Sequence, residues 1–442
     1  MTDLAAIRPS ARQVAWQRLE FYGFLHFGMN TMTNREWGEG HEDPALFDPA
    51  TLDADQWVRA LKSAGMTAVI LTCKHHDGFC LWPSDVTKHS VASSPYDGDV
   101  VAEVAEAARR HGLEFGVYLS PWDRTEATYG QGKAYDDFYV AQLTELLTRY
   151  GPIFSVWLDG ANGEGPNGKT QYYDWERYYA VVRELQPDAV INVCGPDVRW
   201  CGNEAGDTRP DEWSVVPREL QDAERTAEKS QQADDAAFAR QAVRSDERDL
   251  GSRAALAGHT DLVWYPAEVN TSIRPGWFHH PAEDDQVRPV DELFDIYLKS
   301  VGGNACFLLN VPPARDGRVH AVDVSTLAAL GARIDDFRSR AVPRKVKISF
   351  GTPWTATVDL EARRRIEAVV LGEDITQGQR IEHLRVQVEA RGEWTTVAEA
   401  NAVGHQRILT FEPVAADAVR IEVTATRDTP VVDRVAVIGA ST

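Results

Sequence analysis

Seven continuous apolar runs, separated by amphipathic stretches, constrain this chain more than any other feature. They span residues 21–28, 67–74, 114–122, 153–160, 189–195, 261–267 and 305–311. Continuous rather than alternating hydrophobicity marks parallel strands covered on both faces. Helical patterns lie between them: 53–64 opens with acidic residues and stops before Gly65, 100–111 stops before Gly112, and 135–150 stops before Gly151. A glycine suits the position after a helix, where the backbone turns left-handed. Strand–helix units recurring about every 35–50 residues imply βαβ crossovers, and eight of them close a (β/α)8 barrel. The eighth strand is expected to be degenerate or to lie after Cys194.

Two regions depart from this rhythm. Residues 207–260 are polar and contain "EKSQQADDAAFARQ", which reads as a solvated insertion with some helix, placed so that it could also shape access to a site. After about Ser339 come "KVKISF", "ATVDLE", "RRIEAVVLGED", "EHLRVQVEA", "EWTTVAEA", "RILTFEP", "AVRIEVTA" and "RVAVIGA". Short strands with period-two alternation and turns between them predict an antiparallel β-sandwich. The expected organisation is a barrel over 1–341 and a sandwich over 342–442, divided near Val342–Arg344 at a proline.

A net charge of −21 repels nucleic acid and anionic membranes, so neither is an expected partner. The N-terminal stretch lacks the apolar middle of a signal peptide, and no run is long enough to span a bilayer. Five scattered cysteines argue against a disulfide framework or a structural zinc site and fit buried thiols in a reducing, cytoplasmic setting. The oligomeric state is not legible.

In a β/α barrel the site forms at the C-terminal ends of the strands. The first strand delivers His26, followed by Glu36 and Trp37 in "REWG"; the second His75, His76 and Asp77; the third Tyr118 and Trp122; the fourth Trp157 and Asp159. The segment after the fifth delivers Asn203 and Glu204, and the sixth leads into Glu268, then Arg274 and Trp277. Any one of these has a bland reading: a satisfied structural histidine, a core tryptophan, or, for Asp159, a loop cap before Gly160. Six polar or aromatic strand ends on one rim make a shared site the better account.

Two carboxylates with aromatics and histidines are the kit for glycoside hydrolysis, in which a retaining enzyme needs a carboxylate nucleophile and a carboxylic proton donor. Asp159 at a rigid strand end suits the nucleophile, kept ionised by donors such as the histidines and Arg274. Glu204, on a glycine-rich loop with Trp200 nearby, suits the acid/base, although the residues alone do not select it over Glu36, Glu164 or Glu268. A metal held by His26, His75, His76 and Asp77 is the rival chemistry. It lacks HExxH or HxH spacing, and neighbouring histidines on a strand point to opposite faces unless the strand has ended. The "DGANGEGPNG" stretch lacks the Lys-Ser/Thr of a phosphate-cradling loop. No cofactor is expected.

"FYGFLHFGMNT", "KHHDGF", "VWLDG" and "IRPGWF", in that order, together with "GGNACFLLNVPPARDGRVH", resemble the α-L-fucosidases of glycoside hydrolase family 29 over nearly the whole chain. The resemblance implies a retaining double displacement with Asp159 as nucleophile. It implies a fucose pocket lined by His26, His75, His76, Tyr118 and Trp157, with Arg274 and Trp277 from "IRPGW". "RWCGNEAG" is similar to the acid/base motif of the branch that cleaves α1,3/4-linked fucose on Lewis-type glycans, which makes Glu204 the acid/base. Cys201 and His279–His280 depart from that branch's pattern. The substrate implied is a fucosylated oligosaccharide; the alternatives are a broad-specificity α-L-fucosidase or a non-catalytic glycan-binding protein. The sandwich resembles discoidin-like carbohydrate-binding modules, with packing against the barrel the simpler role.

Overall fold

The computed structural model of the chain describes residues 3–235, 237–244, 247–342, 345–349 and 353–441. Apart from short 3-10 turns, the first part runs α1 (Ala11–Gln17), β1 (Phe21–Leu25), α2 (Met29–Thr33), α3 (Ala54–Ser63), β2 (Ala68–Lys74), α4 (Val100–His111) and β3 (Glu114–Leu119). It continues α5 (Lys133–Arg149), β4 (Ser155–Leu158), α6 (Trp175–Leu185), β5 (Val190–Val193), β6 (Arg199–Trp200), β7 (Val215–Pro217) and α7 (Ala223–Lys229). It ends β8 (Leu262–Trp264), β9 (Ala267–Ser272), α8 (Val290–Ser300), β10 (Cys306–Asn310) and α9 (Ala321–Ser339).

Local chemistry sets the helix ends. The Asp53 carboxylate accepts from Gln56 N at 2.9 Å and opens α3. Asp99 does the same for Ala102 N and opens α4, which closes at Gly112 with φ +72°. A carboxylate at the N-cap satisfies a backbone donor that no carbonyl reaches.

Eight strands pair in parallel in the order β5-β4-β3-β2-β1-β10-β9-β6. The barrel nearly closes where Asn192 bridges Val198 just before β6 and Val193 N donates to Val198 O at 3.1 Å. The expected eighth strand is thus the two-residue β6, after Cys194.

The expected sixth strand is corrected. The apolar run 261–267 contributes β8, which pairs antiparallel with β7 outside the barrel. That run is apolar because β8 covers a satellite core with Leu4, Val14, Val215, Leu256 and Ile375. The true barrel strand is β9, "AEVNTS", whose polar texture hides it: Glu268 and Asn270 alternate onto the barrel interior, where hydrogen bonds satisfy them.

Residues 207–260 are also more than a solvated insertion. They supply β7, α7, the buried Trp213, and Glu212 and Arg209, which with Arg199 of β6 form buried ion pairs at 2.7 and 3.0 Å.

Pro343 and Arg344, where the sequence places the domain boundary, lie outside the described residues. Beyond them run β11 (Lys345–Ser349), β12 (Trp354–Glu373), β13 (Ile381–Ala390), β14 (Glu393–Ala400), β15 (Arg407–Thr426) and β16 (Val432–Gly439), in one antiparallel hydrogen-bonded system. The 20-residue β12 serves different partners at its two ends: β11 beside Thr355–Asp359 and β16 beside Ile366–Glu373. Its register to β15 breaks between Asp359 and Arg364. Val358 from one end and Val369 from the other share a single apolar core, so the sheet folds over on itself.

This domain packs directly on the barrel. Ala368, Val370, Ile408 and Ile438 belong to the barrel's own core. Asn304 joins the two parts: its Nδ2 donates to Glu212 O at 2.8 Å and its Oδ1 accepts from His405 N at 2.8 Å. Gly404 is required beside it, because a Cβ there would fall 2.2 Å from Asn304 Oδ1 and φ is +63°.

Candidate active site

The C-terminal strand ends surround a concave pocket, the usual form of a small-molecule site. It is lined by His26, Trp37, His75, His76, Trp157, Asp159, Glu204 and Trp277, eight of the residues that the sequence nominates. Phe24, Ala161, Val193, Trp200, Ser230, Gln231 and Asn270 complete the wall.

Asp159 follows β4 directly. One carboxylate oxygen accepts from Ala161 N at 2.8 Å and the other from the Tyr118 hydroxyl at 2.8 Å. Tyr118 lies opposite Trp157 in the β3–β4 register, which brings its hydroxyl to the end of the neighbouring strand. Burial pushes the Asp159 carboxyl above its ordinary value, while the Ala161 and Gly160 amides and the Tyr118 hydroxyl pull it back. The donors that hold Asp159 ionised are therefore two amides and a phenol, not Arg274. Gly160 permits the close approach of α7: a Cβ there would meet Ser230 Oγ at 2.3 Å.

Glu204 sits in a tight loop after β6, held by Asn203, whose Oδ1 accepts from Ala205 N at 3.0 Å and Asp207 N at 3.1 Å. Trp277 Nε1 donates to its Oε2 at 3.0 Å. Burial, reinforced by the charges of Asp159 and Glu36 and opposed by the Trp277 bond, raises Glu204 to about 8. The two carboxylates thus differ in kind: one is surrounded by donors, the other kept protonated at neutral pH.

Buried histidines supply hydroxyl-binding groups. Asn310 Nδ2 donates to Ser272 Oγ at 2.9 Å and to Trp277 O at 2.8 Å, so its oxygen faces His26 Nδ1 at 2.8 Å. His26 therefore carries its proton on Nδ1 and presents Nε2 as an acceptor. Ser120 Oγ donates to Trp122 O at 2.7 Å, which leaves it accepting from His76 Nδ1 at 2.7 Å. Burial pushes His26 down to about 3 and holds His75 and His76 well below their usual value, so all three are neutral. Because β2 ends at Lys74, His75 and His76 both reach the cavity with ring centres 4.0 Å apart, rather than facing opposite sides.

Glu36, Asp77, Tyr118, Trp122, Asn203, Glu268 and Arg274, also delivered to the rim, do not line the cavity. Glu36 is a loop anchor: it accepts from Trp277 N and, at 3.2 Å, from Phe278 N, and it pairs with His280 at 3.0 Å. Tyr118 acts through Asp159. Arg274 is fully buried in ion pairs with Asp323 at 3.0 Å and Asp284 at 2.9 Å, away from the proposed nucleophile. An arginine at a strand end reads as a ligand-binding group until its partners on α9 and in the 281–284 turn are placed beside it. Glu268, a competing acid candidate, lies beneath the floor, accepting from Trp157 Nε1 at 2.8 Å, Asn192 Nδ2 at 2.7 Å and the Tyr22 hydroxyl. Glu164 is bound through its backbone, its carbonyl accepting from Trp122 Nε1 at 3.0 Å.

Sequence reasoning missed Asn270, Ser230 and Gln231. Asn270 is carried by the strand that was misplaced. Ser230 and Gln231 come from the insertion, whose polar texture reads as a solvated segment. Val193 gave no signal at all: it holds φ +68°, a left-handed backbone unusual for a β-branched residue, at the cavity wall.

A pH dependence follows. With Glu204 required in its protonated form, kcat/KM on an oligosaccharide substrate should fall as pH rises through about 8. The acid limb, set by Asp159, should lie above the range of an ordinary aspartate. An alkaline limb near about 4.3, the ordinary glutamate value, would remove Glu204 as the proton donor.

Comparison with known proteins gives the family. The family model "Alpha-L-fucosidase" matches residues 18–336, and the model "NedA-like, galactose-binding domain" matches 345–421. Alpha-L-fucosidase 1 of Arabidopsis thaliana is 38% identical over 439 residues, covering 91% of this chain and 81% of its own. A glycoside hydrolase 29 family member from an unknown rumen bacterium superposes with a TM-score of 0.85 at 36% identity, covering 99% of this chain and 78% of its own. A Ruminococcus gnavus GH29 fucosidase solved in complex with fucose superposes with a TM-score of 0.84 at 27% identity, over 100% of this chain and 96% of its own.

Proposed function

The chain belongs to the α-L-fucosidases of glycoside hydrolase family 29, and from that premise we propose a retaining exo-glycosidase that removes α1,3- and α1,4-linked fucose from branched, Lewis-type glycans. The observation that carries this reading is the placement of Glu204, from "RWCGNEAG", on the same cavity as Asp159 and in a site that keeps it protonated.

In this mechanism Asp159 attacks C1 of the fucosyl unit as Glu204 gives its proton to the departing glycosidic oxygen. The C1–O bond to the aglycone breaks and a C1–O bond to Asp159 forms. Water then attacks C1 from the opposite face while Glu204 takes its proton, and the bond to Asp159 breaks with overall retention. Tyr118 stabilises Asp159 as a leaving group. His26 and His76 hold sugar hydroxyls through Nε2, and Phe24, Trp157 and Trp277 offer apolar surface to the 6-deoxy methyl.

Both departures from the branch pattern are accommodated. Cys201 is buried with Ala267, Val269 and Ala305, the setting of an aliphatic side chain. His279, which stands where that branch usually has a tyrosine, is buried and meets Asp284 at 3.1 Å, and His280 is tied to Glu36. Five buried free thiols suit the cytoplasmic setting that this reading carries forward.

The test is fucose release from a Lewis-type α1,3/4-fucosylated trisaccharide beside 2′-fucosyllactose. Fast release from the Lewis sugar alone is expected. Equal release from both would replace the narrow reading with a broad-specificity enzyme, and release from neither would favour a binding protein.

A further inference from the structure

Away from the cavity, three ligand-type side chains from separate segments converge. Glu42 lies between α2 and α3, Asp77 just past β2, and His89 in the segment leading to α4. One oxygen from each acid and one ring nitrogen lie within 4.8 Å of one another. Asp77 is 1% exposed and His89 8%. Glu42 Oε2 and His89 Nε2 are buried without a hydrogen-bond partner among the described residues. The remaining oxygens are in use: Asp77 Oδ1 accepts from Phe79 N at 2.8 Å and Glu42 Oε1 from Gly40 N at 3.2 Å.

The charge balance is unfavourable as it stands. Lys74, whose charge is felt at His89, is committed to Asp123 Oδ2 and Gln142 Oε1, both at 2.8 Å. Two carboxylates that meet in one pocket repel one another, and either a proton or a cation between them relieves that repulsion.

We infer that Glu42, Asp77 and His89 form a structural site for one divalent cation of borderline character, Zn2+ or Mn2+. One imidazole and two carboxylates suit such ions, whereas Ca2+ and Mg2+ favour all-oxygen shells. The ion cross-links the segment bearing Trp37 to the one bearing His75 and His76, whose rings meet where Trp37 stands edge-on to His76 at 5.2 Å. Gly38 makes the approach possible, because a Cβ there would lie 2.6 Å from Asp77 Cβ and 2.8 Å from Glu42 Oε1. The ion takes no part in bond breaking; it stiffens one wall of the sugar site. A second cluster, His279, Asp284 and His320, is weaker, because Asp284 already pairs with Arg274 at 2.9 Å.

The test uses the full chain, stripped with a chelator and re-equilibrated with Zn2+, Mn2+ or Mg2+. Metal content is measured by mass spectrometry and Tm by calorimetry, for the wild type, His89→Gln and His320→Gln. The expected result is one Zn2+ or Mn2+ per chain and a Tm rise of about 2 °C or more at saturating ion. Both should be lost in His89→Gln and kept in His320→Gln, with little response to Mg2+. The inference is overturned if no ion is retained and Tm does not move, or if His89→Gln binds as the wild type does. If His89→Gln fails to fold, Glu42→Gln replaces it, since Glu42 is only partly buried, and the same two outcomes apply.

Discussion

Replacing Asp159 by alanine is expected to lower kcat by at least about 10^3-fold while leaving the fold intact. The size of the effect follows from its place in the cavity. It is the one carboxylate there surrounded by donors, with Ala161 N and the Tyr118 hydroxyl each at 2.8 Å, and it sits on the rigid end of β4. Nothing else lining the cavity can form the covalent intermediate: Glu204 is held protonated, and Glu268 lies below the floor under three donors. Because the substitution also removes a buried charge, the stability cost of leaving Tyr118 without its acceptor is partly offset, so a circular dichroism spectrum and Tm near the wild type are the appropriate control. Azide should open a direct displacement at C1 in this variant and give β-fucosyl azide, the inverted product. Near-wild-type turnover by Asp159→Ala would falsify the nucleophile assignment.

Glu204→Ala should lower kcat/KM on oligosaccharides by about 10^2–10^4-fold, the usual worth of a general acid–base. The loss should be much smaller on an aryl fucoside, whose leaving group departs without a proton, because Asp159 remains to form the fucosyl-enzyme. That intermediate should then wait for a nucleophile, and azide should speed its breakdown and give α-fucosyl azide, the retained product. The anomer distinguishes the two roles: the nucleophile variant inverts and the acid/base variant retains. Rescue in neither variant, or the same anomer from both, would undo the assignment of Asp159 and Glu204 as a pair. Loss of the limb near about 8 in the Glu204→Ala profile would tie that limb to this residue.

Much of this was legible in the chain itself. Parallel barrel strands are buried on both faces, so their apolar runs end abruptly where chemistry begins, and a polar or aromatic residue at such an end stands out. His26, His75, His76, Trp157 and Asp159 were readable for that reason, and all five line the cavity. The same logic failed on β9, where the polar site extends down the strand and erases the apolar run, and on β8, whose apolar run serves a satellite core outside the barrel. Asn270 was lost with them.

By itself, then, the sequence determined the barrel, the antiparallel domain after it, the family, and the carboxylates and histidines of the rim, because periodicity and local motifs act over a few residues. Tertiary structure alone decided which polar groups face the ligand and which are spent on one another. Arg274 is neutralised by Asp284 and Asp323, Glu36 ties down the Trp277 loop, and Tyr118 supports Asp159. It also decided that Glu204 keeps its proton, that the insertion contributes Ser230 and Gln231, and that Glu42, Asp77 and His89 meet. Each of these depends on residues tens to hundreds of positions apart, and on burial, which no local pattern in a single chain encodes.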